Sequence, residues 1–493
     1  MKPMLLDELC RQVGGRWLGQ APQGPVRVAK VTIDSRKAAA GDLFIAIRGA
    51  QFDGHDFLPQ AAAAGCVAAI VESGWAADSA VVARFAGVIA VPSSLEALAQ
   101  LAMRHRRTFG GRVIGVTGSV GKTTVKGMIH HILARHKKGS AAPKSFNNNI
   151  GVPLTILAAG EADEYIVCEL GSNAPGEIAA LTRIADPDIA VITAVGPSHL
   201  EKLGSIEGVA AEKAAILAGL EERGGVGVIW ADSQPLAQAV RGCRARLIRF
   251  GADERADLRL TGWEGNGWSQ RFQVDGRAWF TLPLPGRHNA SNALAAIAAA
   301  MQLGLSLEQA GSALADVAAA DMRLQARQAG DVTVINDAYN ANPMSMAAAV
   351  EALNKVEGGR RVFVAGDMRE LGADSQPLHV ALGGRIAQSP IGLLVTVGTL
   401  GRFIAQGAQA AGSSLTIRSY ATAADAAAHV DDWLKAGDTV LVKASRGVAA
   451  ECIVERILAR SAAADKHNGA CPPVSLAAPA EASLTAGAGG RRP

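Results

Sequence analysis

The sequence predicts an α/β protein built from three domains, and two observations support this prediction. The chain has 493 residues, which is about three domain lengths. Short apolar, strand-like segments alternate with helix-like segments from the middle of the chain onward, a pattern typical of mainly parallel sheets covered by helices on both faces. We therefore expect a small mixed α/β domain at residues 1–96, a central domain with a mainly parallel sheet at 97–323, and a C-terminal Rossmann-like domain at 324–461.

Charge and composition argue against a nucleic acid as the partner. The net charge is only +4, the basic residues are dispersed, and aromatic residues make up 4% of the chain. Proteins that bind nucleic acids usually cluster their basic residues or offer aromatic stacking surfaces. We therefore expect no nucleic acid among the ligands.

The sequence also predicts where the protein is located. Asp7 and Glu8 stand where a signal peptide would have its apolar core, and no run of about 18 apolar residues is found. The six cysteines lack the paired spacing of metal sites and redox motifs. We expect a cytoplasmic monomer with free thiols and no stable membrane insertion. Residues 462–493 are rich in Ala, Pro, Gly and Ser and are predicted to form a disordered tail.

Two arginines follow strand-like segments of the first domain. Arg36 follows the segment 26–33, and Arg48 follows the segment 42–47. A guanidinium group can bind two phosphate oxygens at once, so both arginines suit a ligand that carries phosphate. A solvated turn with a local ion pair would give the same pattern, and the sequence alone leaves both interpretations open.

The strongest functional signal is the segment VTGSVGKTT at residues 116–124. It follows a strand-like segment and precedes a helix-like one, so its backbone N–H groups and the positive end of the helix would face anionic oxygens. It fits Thr-Gly-x-x-Gly-Lys-Thr-Thr better than the generic phosphate-loop motif, which has glycine at the position of Val116. We predict a nucleotide-phosphate site formed by Thr117, Gly118, Ser119, Val120, Gly121, Lys122, Thr123 and Thr124.

Polar side chains at strand ends complete this predicted site. Lys122 has the position of a lysine that reaches the β- and γ-phosphates, and the Thr123 hydroxyl has the position of a Mg²⁺ ligand. Glu169 and His199 each follow an apolar strand-like segment. The carboxyl ends of parallel strands meet at one edge of a sheet, so we expect both residues near the phosphate loop. Lys213 lies in an alanine-rich helical segment and is predicted, from the sequence alone, to be a solvated helix residue.

Further polar clusters occupy predicted turns. The turn 285–292 opens an alanine-rich helix, which Asn289 or Ser291 could cap, while Asn292 could offer its amide to a purine. In the third domain, polar clusters follow strand-like segments at 337–343, 366–372 and 443–447. Ligands of doubly wound sheets bind at these strand ends, so the clusters are predicted to face a substrate.

These motifs together resemble the Mur ligase family, the ATP-dependent amide-forming ligases of bacterial cell-wall synthesis. The resemblance covers almost the whole chain except the tail. It is carried by the phosphate loop, by Asn-Ile-Gly at 149–151, by Glu169, by the turn at His199, by His288-Asn289-x-x-Asn292 and by Met322-Arg323 before Asp337. The segments 336–343 and 366–372 resemble the family members that add D-alanyl-D-alanine. The Asp-Asn-Pro-Arg signature of the members that add a diamino acid is absent from the sequence.

The resemblance implies a role for each candidate residue. The cofactors it implies are ATP and Mg²⁺, and the substrates are UDP-N-acetylmuramoyl tripeptide and D-alanyl-D-alanine. The implied uridine-diphosphate site contains Ser35, Arg36, Arg48 and His55. The implied nucleotide site contains the phosphate loop with Asn292 at adenine, Asp337 at ribose and Arg323 at the phosphates. The implied Mg²⁺ ligands are Thr123, Glu169, His199 and Lys213, the catalytic residues are Lys122, Glu169, His199 and Lys213, and further substrate contacts come from Asn149, Tyr339, Asn340 and Arg446.

The resemblance also gives Lys213 a second interpretation. Lys213 lies 14 residues after His199, where related ligases carry a lysine that CO₂ converts to a carbamate. A carbamate is an anionic oxygen ligand of the kind that Mg²⁺ prefers. Because the modification is not uniform in the family, both interpretations of Lys213 stay open.

The reaction implied is ATP-dependent joining of the dipeptide to the tripeptide through an acyl phosphate, with ADP and phosphate as products. Within enzymes, the alternatives are a Mur ligase that adds a single amino acid and a ligase similar to folylpolyglutamate synthase. A nucleotide-driven switch would differ from a ligase by hydrolysing ATP without an acceptor. A non-catalytic protein that binds nucleotide is a further alternative.

Overall fold

The structure is a computed structural model that describes residues 3–412 and 414–465. It is an α/β fold with three main sheets that follow one another along the chain, which confirms the predicted fold class. Within the described residues, no helix combines the length and the apolar content that crossing a membrane requires.

The first sheet has five strands in the order β2-β7-β6-β5-β4, and β1 pairs separately with β3. Strands β4 to β7 are parallel, so the segments after β4 and β5 lie at the same edge. The predicted strand 26–33 is divided between β3 and β4. The elements are β1 Met4–Leu5, α1 Leu6–Gln12, β2 Arg16–Trp17, β3 Arg27–Val28, β4 Lys30–Thr32, β5 Asp42–Ile45, α2 Leu58–Ala63, β6 Ala68–Glu72, α3 Ser79–Val82, β7 Gly87–Val91 and α4 Ser94–Thr108.

The second sheet has nine strands in the order β16-β15-β14-β13-β12-β11-β8-β10-β9. Strands β8 to β14 are parallel to their neighbours, and β14 to β16 form antiparallel hairpins. The elements are β8 Arg112–Thr117, α5 Lys122–Leu133, β9 Gly139–Ala141, α6 Gly151–Ala158, β10 Tyr165–Glu169, α7 Glu177–Ala185, β11 Ile189–Ile192, α8 Leu200–Leu203, α9 Ile206–Ala214, β12 Val226–Trp230, α10 Gln234–Ala239, β13 Arg246–Gly251, β14 Leu258–Gly265, β15 Gln270–Val274, β16 Ala278–Leu282, α11 Arg287–Met301 and α12 Leu307–Ser312.

The third sheet has six strands in the order β17-β18-β22-β19-β20-β21, all parallel except for β17. This is the doubly wound arrangement that the sequence predicts. The elements are β17 Gln325–Ala329, β18 Val332–Asn336, α13 Pro343–Asn354, β19 Arg361–Gly366, α14 Ser375–Ala387, β20 Leu393–Val397, α15 Gly401–Ala410, β21 Thr416–Tyr420, α16 Ala423–Ala428, α17 Val430–Trp433, β22 Thr439–Lys443 and α18 Glu451–Asp465.

Three further local predictions differ from the structure. The predicted boundary between residues 96 and 97 falls inside α4, which packs against α6 and α7 beside the second sheet. The predicted tail begins inside α18, which continues to Asp465; the rest of that segment, 466–493, lies outside the described residues. Asn289 does not cap α11, because that helix begins at Arg287 and the Asn289 amide donates to the Pro285 carbonyl oxygen at 2.7 Å.

Helices α14 and α15 approach each other closely at two glycines. A Cβ atom on Gly383 would lie 2.0 Å from the carbonyl oxygen of Ile404, and one on Gly407 would lie 2.0 Å from that of Val380. The two backbones are therefore in contact with no room for a side chain between them. This contact holds α14 directly against α15.

We expect Gly383→Ala to lower the free energy of unfolding by about 1–3 kcal/mol, because the added methyl group forces the two helices apart. Gly384→Ala is the matched control, since a Cβ at this position would have no atom within 4 Å. The control should be neutral or stabilising by up to about 1 kcal/mol, because alanine favours the helix. Urea unfolding of both variants measures this difference, and equal effects would contradict the close approach.

Candidate active site

The carboxyl ends of three adjacent strands of the second sheet meet beside a large cavity. β8 lies between β10 and β11, with Glu169 next to Val116 and Ile192 next to Thr117. The cavity has a volume of about 1160 Å³ and is lined by loops of the second and third sheets. Parallel strands place their ligand-binding residues at this edge, so the fold brings Lys122, Thr123, Glu169 and His199 together here.

Contacts with the segment after β11 fix the backbone conformation of the phosphate loop. Gly118 and Gly121 have φ angles of +147° and +90°, which favour glycine. A Cβ on Gly118 would lie 2.0 Å from the Thr193 hydroxyl oxygen, and one on Gly121 would lie 2.4 Å from the Asn292 amide oxygen. The Ser119 backbone N–H donates to the Ala194 carbonyl oxygen at 2.8 Å. Both glycines are therefore required for the backbone to take this shape.

Lys122 begins helix α5, directly after the loop. Its Nζ donates to the Gly118 carbonyl oxygen at 2.6 Å, so the side chain folds back along the loop. Burial lowers the pKa of the Lys122 ammonium group, and the Glu169 carboxylate opposes this effect. Lys122 is therefore positioned to contact phosphate oxygens bound by the loop.

Glu169 is 1% exposed, and its carboxylate accepts two hydrogen bonds and forms one ion pair. Its Oε2 lies 2.9 Å from the Thr123 hydroxyl oxygen and 3.1 Å from Lys126 Nζ, and its Oε1 lies 3.0 Å from the Asn147 amide nitrogen. Within the described residues, no three His, Cys, Asp or Glu side chains converge on one point. The donor set is one carboxylate and one hydroxyl, which fits Mg²⁺, an ion that takes few protein ligands and adds water and phosphate oxygens.

His199 lies at the same edge and contacts the third domain. It has a φ of +53°, and its Nδ1 is hydrogen-bonded to a carboxylate oxygen of Glu370, a residue with a φ of +64°. The Glu370 carbonyl oxygen also accepts the Glu201 backbone N–H at 3.3 Å. Burial lowers the pKa of the His199 imidazole, while Glu370 opposes the shift. The sequence placed His199 at this edge but did not indicate its partner.

Lys213 is buried, which corrects the prediction of a solvated helix residue. The side chain is 1% exposed, and its Nζ lies 2.5 Å from the Ser172 hydroxyl oxygen. Helix α9 directs the Lys213 side chain toward the loop after β10. The alanine-rich sequence of this helix therefore reflects close packing and not exposure to solvent. Burial, together with the charge of Lys122, lowers the Lys213 pKa from 10.5 to about 7. Burial thus favours the uncharged amine at this position.

Arg323 bridges the second and third sheets. Its Nη2 lies 2.9 Å from the Thr123 hydroxyl oxygen and 3.3 Å from that of Ser145. Its guanidinium carbon lies 4.0 Å from the centre of the Tyr339 ring, a favourable cation–π distance. The Arg323 cation thus reaches the sheet edge that carries Thr123 and Glu169 from the junction between the domains.

Asp337 and Lys443 form a buried ion pair at the ends of β18 and β22. The carboxylate lies 2.7 Å from Lys443 Nζ and also accepts the Leu324 backbone N–H at 3.1 Å. Burial raises the pKa of the Asp337 carboxyl group, and Lys443 opposes this rise. Asn292, across the cavity, donates to the Asn289 side-chain oxygen at 3.0 Å. Both Asp337 and Asn292 line the cavity.

The four residues predicted to make further substrate contacts also line the cavity. They are Asn149, Tyr339, Asn340 and Arg446. The Arg446 guanidinium also forms an ion pair with the Glu451 carboxylate, with 3.0 Å between nitrogen and oxygen.

The first-domain residues lie apart from this cavity. Arg48 pairs with Asp53 at 2.9 Å, Arg36 pairs with Asp34 at 2.8 Å, and both guanidinium groups are exposed. The Ser35 hydroxyl donates to the Gln60 side-chain oxygen at 3.0 Å. Local ion pairs, one of the two interpretations of the sequence, are therefore present.

His55 is buried and has both ring nitrogens engaged. Nδ1 lies 2.5 Å from Asp53 Oδ1, and Nε2 accepts the Glu72 backbone N–H at 3.0 Å. A direct contact with a ligand, as the resemblance implied, does not fit this environment. Instead, His55 orients Asp53, which in turn holds Arg48.

Four contacts of the site were not predicted from the sequence. They are made by Lys126, Asn147, Glu370 and Lys443, each paired with a residue that was predicted. Glu370 and Lys443 do lie in the segments 366–372 and 443–447, which were predicted to face a substrate, but their partners were not predicted. A usable signal existed for Lys126: it lies three and four residues after Thr123 and Lys122, on the same helix face. The partner Glu370 is remote in sequence from His199 and gave no such signal.

Comparisons with known proteins agree with this geometry. Three family models match consecutive parts of the chain: "Mur ligase family, catalytic domain" at residues 27–106, "Mur ligase middle domain" at 116–300 and "Mur ligase, glutamate ligase domain" at 322–446. The chain belongs to the Mur ligase family.

Comparison with individual proteins shows which members of the family the chain is similar to. The chain is 39% identical, over 87% of its length and 93% of the relative, to UDP-N-acetylmuramoyl-tripeptide–D-alanyl-D-alanine ligase of Bacillus subtilis. MurF from Acinetobacter baumannii is a solved structure with a TM-score of 0.83 and 31% identity, covering 93% of this chain and 99% of that one. MurF ligase from Thermotoga maritima, solved in complex with ADP, has a TM-score of 0.76 and 28% identity over 89% and 99% of the two chains.

The buried Lys213 predicts a specific pH dependence in CO₂-free buffer. With its pKa lowered to about 7 in the folded chain, Lys213 should bind fewer protons than in the unfolded chain between pH 7 and 10. The free energy of unfolding should therefore rise with pH across this interval, by about 1.4 kcal/mol per pH unit, and level off below pH 7. Lys213→Met should lack this component. Denaturant unfolding of both proteins across the interval measures the difference, and parallel curves would show an ordinary lysine pKa.

Proposed function

We propose that the protein is the ligase that joins D-alanyl-D-alanine to UDP-N-acetylmuramoyl tripeptide, with conversion of ATP to ADP and phosphate. The observation that carries the proposal is one cavity with a phosphate loop and Glu169 on one wall and the strand ends of a doubly wound sheet on the other. The named relatives and the ADP complex of the Thermotoga maritima protein support the choice of reaction and of nucleotide.

The reaction must convert an unreactive carboxylate into an acyl donor. An oxygen of the tripeptide carboxylate attacks the γ-phosphorus of ATP, the bond to ADP breaks, and an acyl phosphate forms. The neutral amine of the dipeptide then attacks the acyl carbon, loses a proton, and phosphate departs to leave an amide. Positive groups that face the transferred phosphoryl group stabilise the charge that develops, which is the main contribution of a protein to phosphoryl transfer.

In this proposal the nucleotide spans the junction between the second and third sheets. Backbone N–H groups of the phosphate loop and the Lys122 ammonium hold the β- and γ-phosphates. Arg323 adds a cation from the junction, Asp337 contacts the ribose, and Asn292 contacts adenine. The Arg323 guanidinium lies 2.9 Å from the Thr123 hydroxyl oxygen, which places it beside the phosphate loop.

Thr123 and Glu169 are the proposed ligands of one Mg²⁺ ion, with His199 and Lys213 near a second. Bound Mg²⁺ would neutralise phosphate oxygens during transfer. Carboxylation of Lys213 is part of this proposal, because an uncharged amine is the form that reacts with CO₂. A Lys213 pKa near its ordinary value would argue against the modification, so the pH comparison above also bears on it.

Ser35, Arg36 and Arg48 are proposed to hold the uridine diphosphate end of the tripeptide substrate, with His55 acting indirectly through Asp53. In this proposal Arg36 and Arg48 exchange their carboxylate partners, Asp34 and Asp53, for the diphosphate. The exchange costs little, because exposed ion pairs contribute little stability. Each of the three sheets would thus serve one substrate. We place the enzyme in the cytoplasm, which supplies ATP, and expect a monomer.

A Mur ligase that adds a single amino acid is the alternative reaction. Folylpolyglutamate synthases share this fold at 18% identity, which bears on the fold alone. The segments 336–343 and 366–372 favour the dipeptide, because they resemble the corresponding segments of family members that add D-alanyl-D-alanine. Residues of both segments line the cavity.

Phosphate release with a panel of substrates tests the proposed reaction. UDP-N-acetylmuramoyl tripeptide and D-alanyl-D-alanine should together give ADP and phosphate, and either alone should give little. Free D-alanine should react at least about 100-fold more slowly, because polar groups that bind the second residue stay unpaired. Faster turnover with a single amino acid, with the UDP-muramyl dipeptide, or with ATP alone would point to one of the alternatives.

Lys122→Ala tests the nucleotide site. Because the side chain contributes little packing, the fold should survive, while turnover should fall by about 10³-fold through loss of charge stabilisation at the phosphoryl group. Circular dichroism reports the fold, and the coupled phosphate assay reports the rate. A folded variant with near-normal turnover would remove Lys122 from the mechanism.

A further inference from the structure

Lys126 is a buried cation that the proposed chemistry does not use. Its side chain is 5% exposed, and its Nζ lies 3.1 Å from Oε2 of Glu169, whose side chain is 1% exposed. The same Nζ donates to the carbonyl oxygen of Lys144, a residue with a φ of +45°. A lysine is rarely buried to this extent without a specific partner, and here the partner is a proposed Mg²⁺ ligand.

The geometry places Lys126 and Mg²⁺ in competition for one carboxylate. An ionised carboxylate offers about four acceptor positions. Oε2 of Glu169 already faces the Thr123 hydroxyl and the Lys126 ammonium, and Oε1 faces the Asn147 amide. An ion held jointly by Thr123 and Glu169 must therefore bind next to the Lys126 ammonium and share its carboxylate.

We propose that Lys126 is the resident counter-cation of the Mg²⁺-binding carboxylate and sets the affinity of the site for the metal. Without metal, the ammonium group compensates the buried charge of Glu169 and holds the carboxylate toward Thr123. With metal, it repels the ion and so weakens binding. Lys126 is a positioning residue in this proposal, which rests on the proposed function only for the identity of the metal.

Two opposite effects follow for Lys126→Met, which preserves the side-chain volume and removes the charge. In EDTA, an uncompensated buried carboxylate should lower the melting temperature by about 5–15 °C. Mg²⁺ should restore most of that loss, because it supplies the missing positive charge. The apparent affinity for Mg²⁺ should rise by about tenfold, since a like charge beside the ion has been removed.

The control is a second ion pair away from the cavity, in which Arg106 is buried and Asp188 is half-buried. Arg106 lies 2.8 Å from Asp188, with side-chain exposures of 8% and 15%. Arg106→Met should be destabilised as well, but its melting temperature should show no recovery with Mg²⁺ beyond that of the wild type. The comparison distinguishes the general effect of losing an ion pair from the specific effect of losing the pair between Lys126 and Glu169.

The experiment measures melting temperatures with ADP present throughout, in EDTA and across a millimolar Mg²⁺ titration. Calorimetric titration of Mg²⁺ into the ADP complex gives the affinity directly. Selective recovery of Lys126→Met and a higher affinity support the proposal. Equal destabilisation with and without Mg²⁺, or a lower affinity for Mg²⁺, overturns it.

A double variant covers the case in which Lys126→Met does not fold. Lys126→Met combined with Glu169→Gln removes both charges, so it should fold and should no longer respond to Mg²⁺. If the double variant also fails to fold, Lys126 serves packing and the proposal is wrong. Because these readouts involve neither amide formation nor the dipeptide, they are independent of the ligase assay that tests the proposed reaction.

Discussion

The organisation of the site depends on the burial of one carboxylate. Glu169 is almost fully enclosed, and a buried carboxylate is costly unless charged and polar partners surround it. Its partners come from helix α5, through Thr123 and Lys126, and from the loop before α6, through Asn147. The requirement to compensate a single charge therefore fixes the helix that follows the phosphate loop and the asparagine-rich loop in one arrangement.

The same requirement extends to the third domain. Thr123 also accepts a hydrogen bond from Arg323, whose neighbours Met322 and Leu324 have φ angles of +56° and +49°. Non-glycine residues in this conformation cost free energy and persist only when surrounding contacts hold them. The contacts here are the Arg323–Tyr339 stack and the hydrogen bond from Leu324 to Asp337. The junction is thus strained locally and held by residues that line the cavity.

The sequence predicted the parts of this arrangement that follow from local rules. The phosphate loop, Glu169 and His199 were placed correctly at one edge, because the carboxyl ends of parallel strands must share an edge. The burial of Lys213 and His55 was not predicted, because it depends on how α9 and the turn at residues 53–57 pack against distant segments. The His199–Glu370 contact joins residues 171 positions apart, and periodicity carries no information at that separation.

The charged groups around the phosphate loop affect one another. Lys122, Lys126 and Lys213 all have lowered pKa values, chiefly through burial, and Lys122 also disfavours the charged form of Lys213. Arg323 adds a further positive charge near Thr123. Glu169 offsets part of this charge, and polyphosphate oxygens at the loop would offset more of it. Phosphate would therefore stabilise the charged forms of the cations that surround it, so nucleotide binding and the electrostatic state of the site are linked. A change at any one of these cations should then alter the others, and their contributions to catalysis should not be additive.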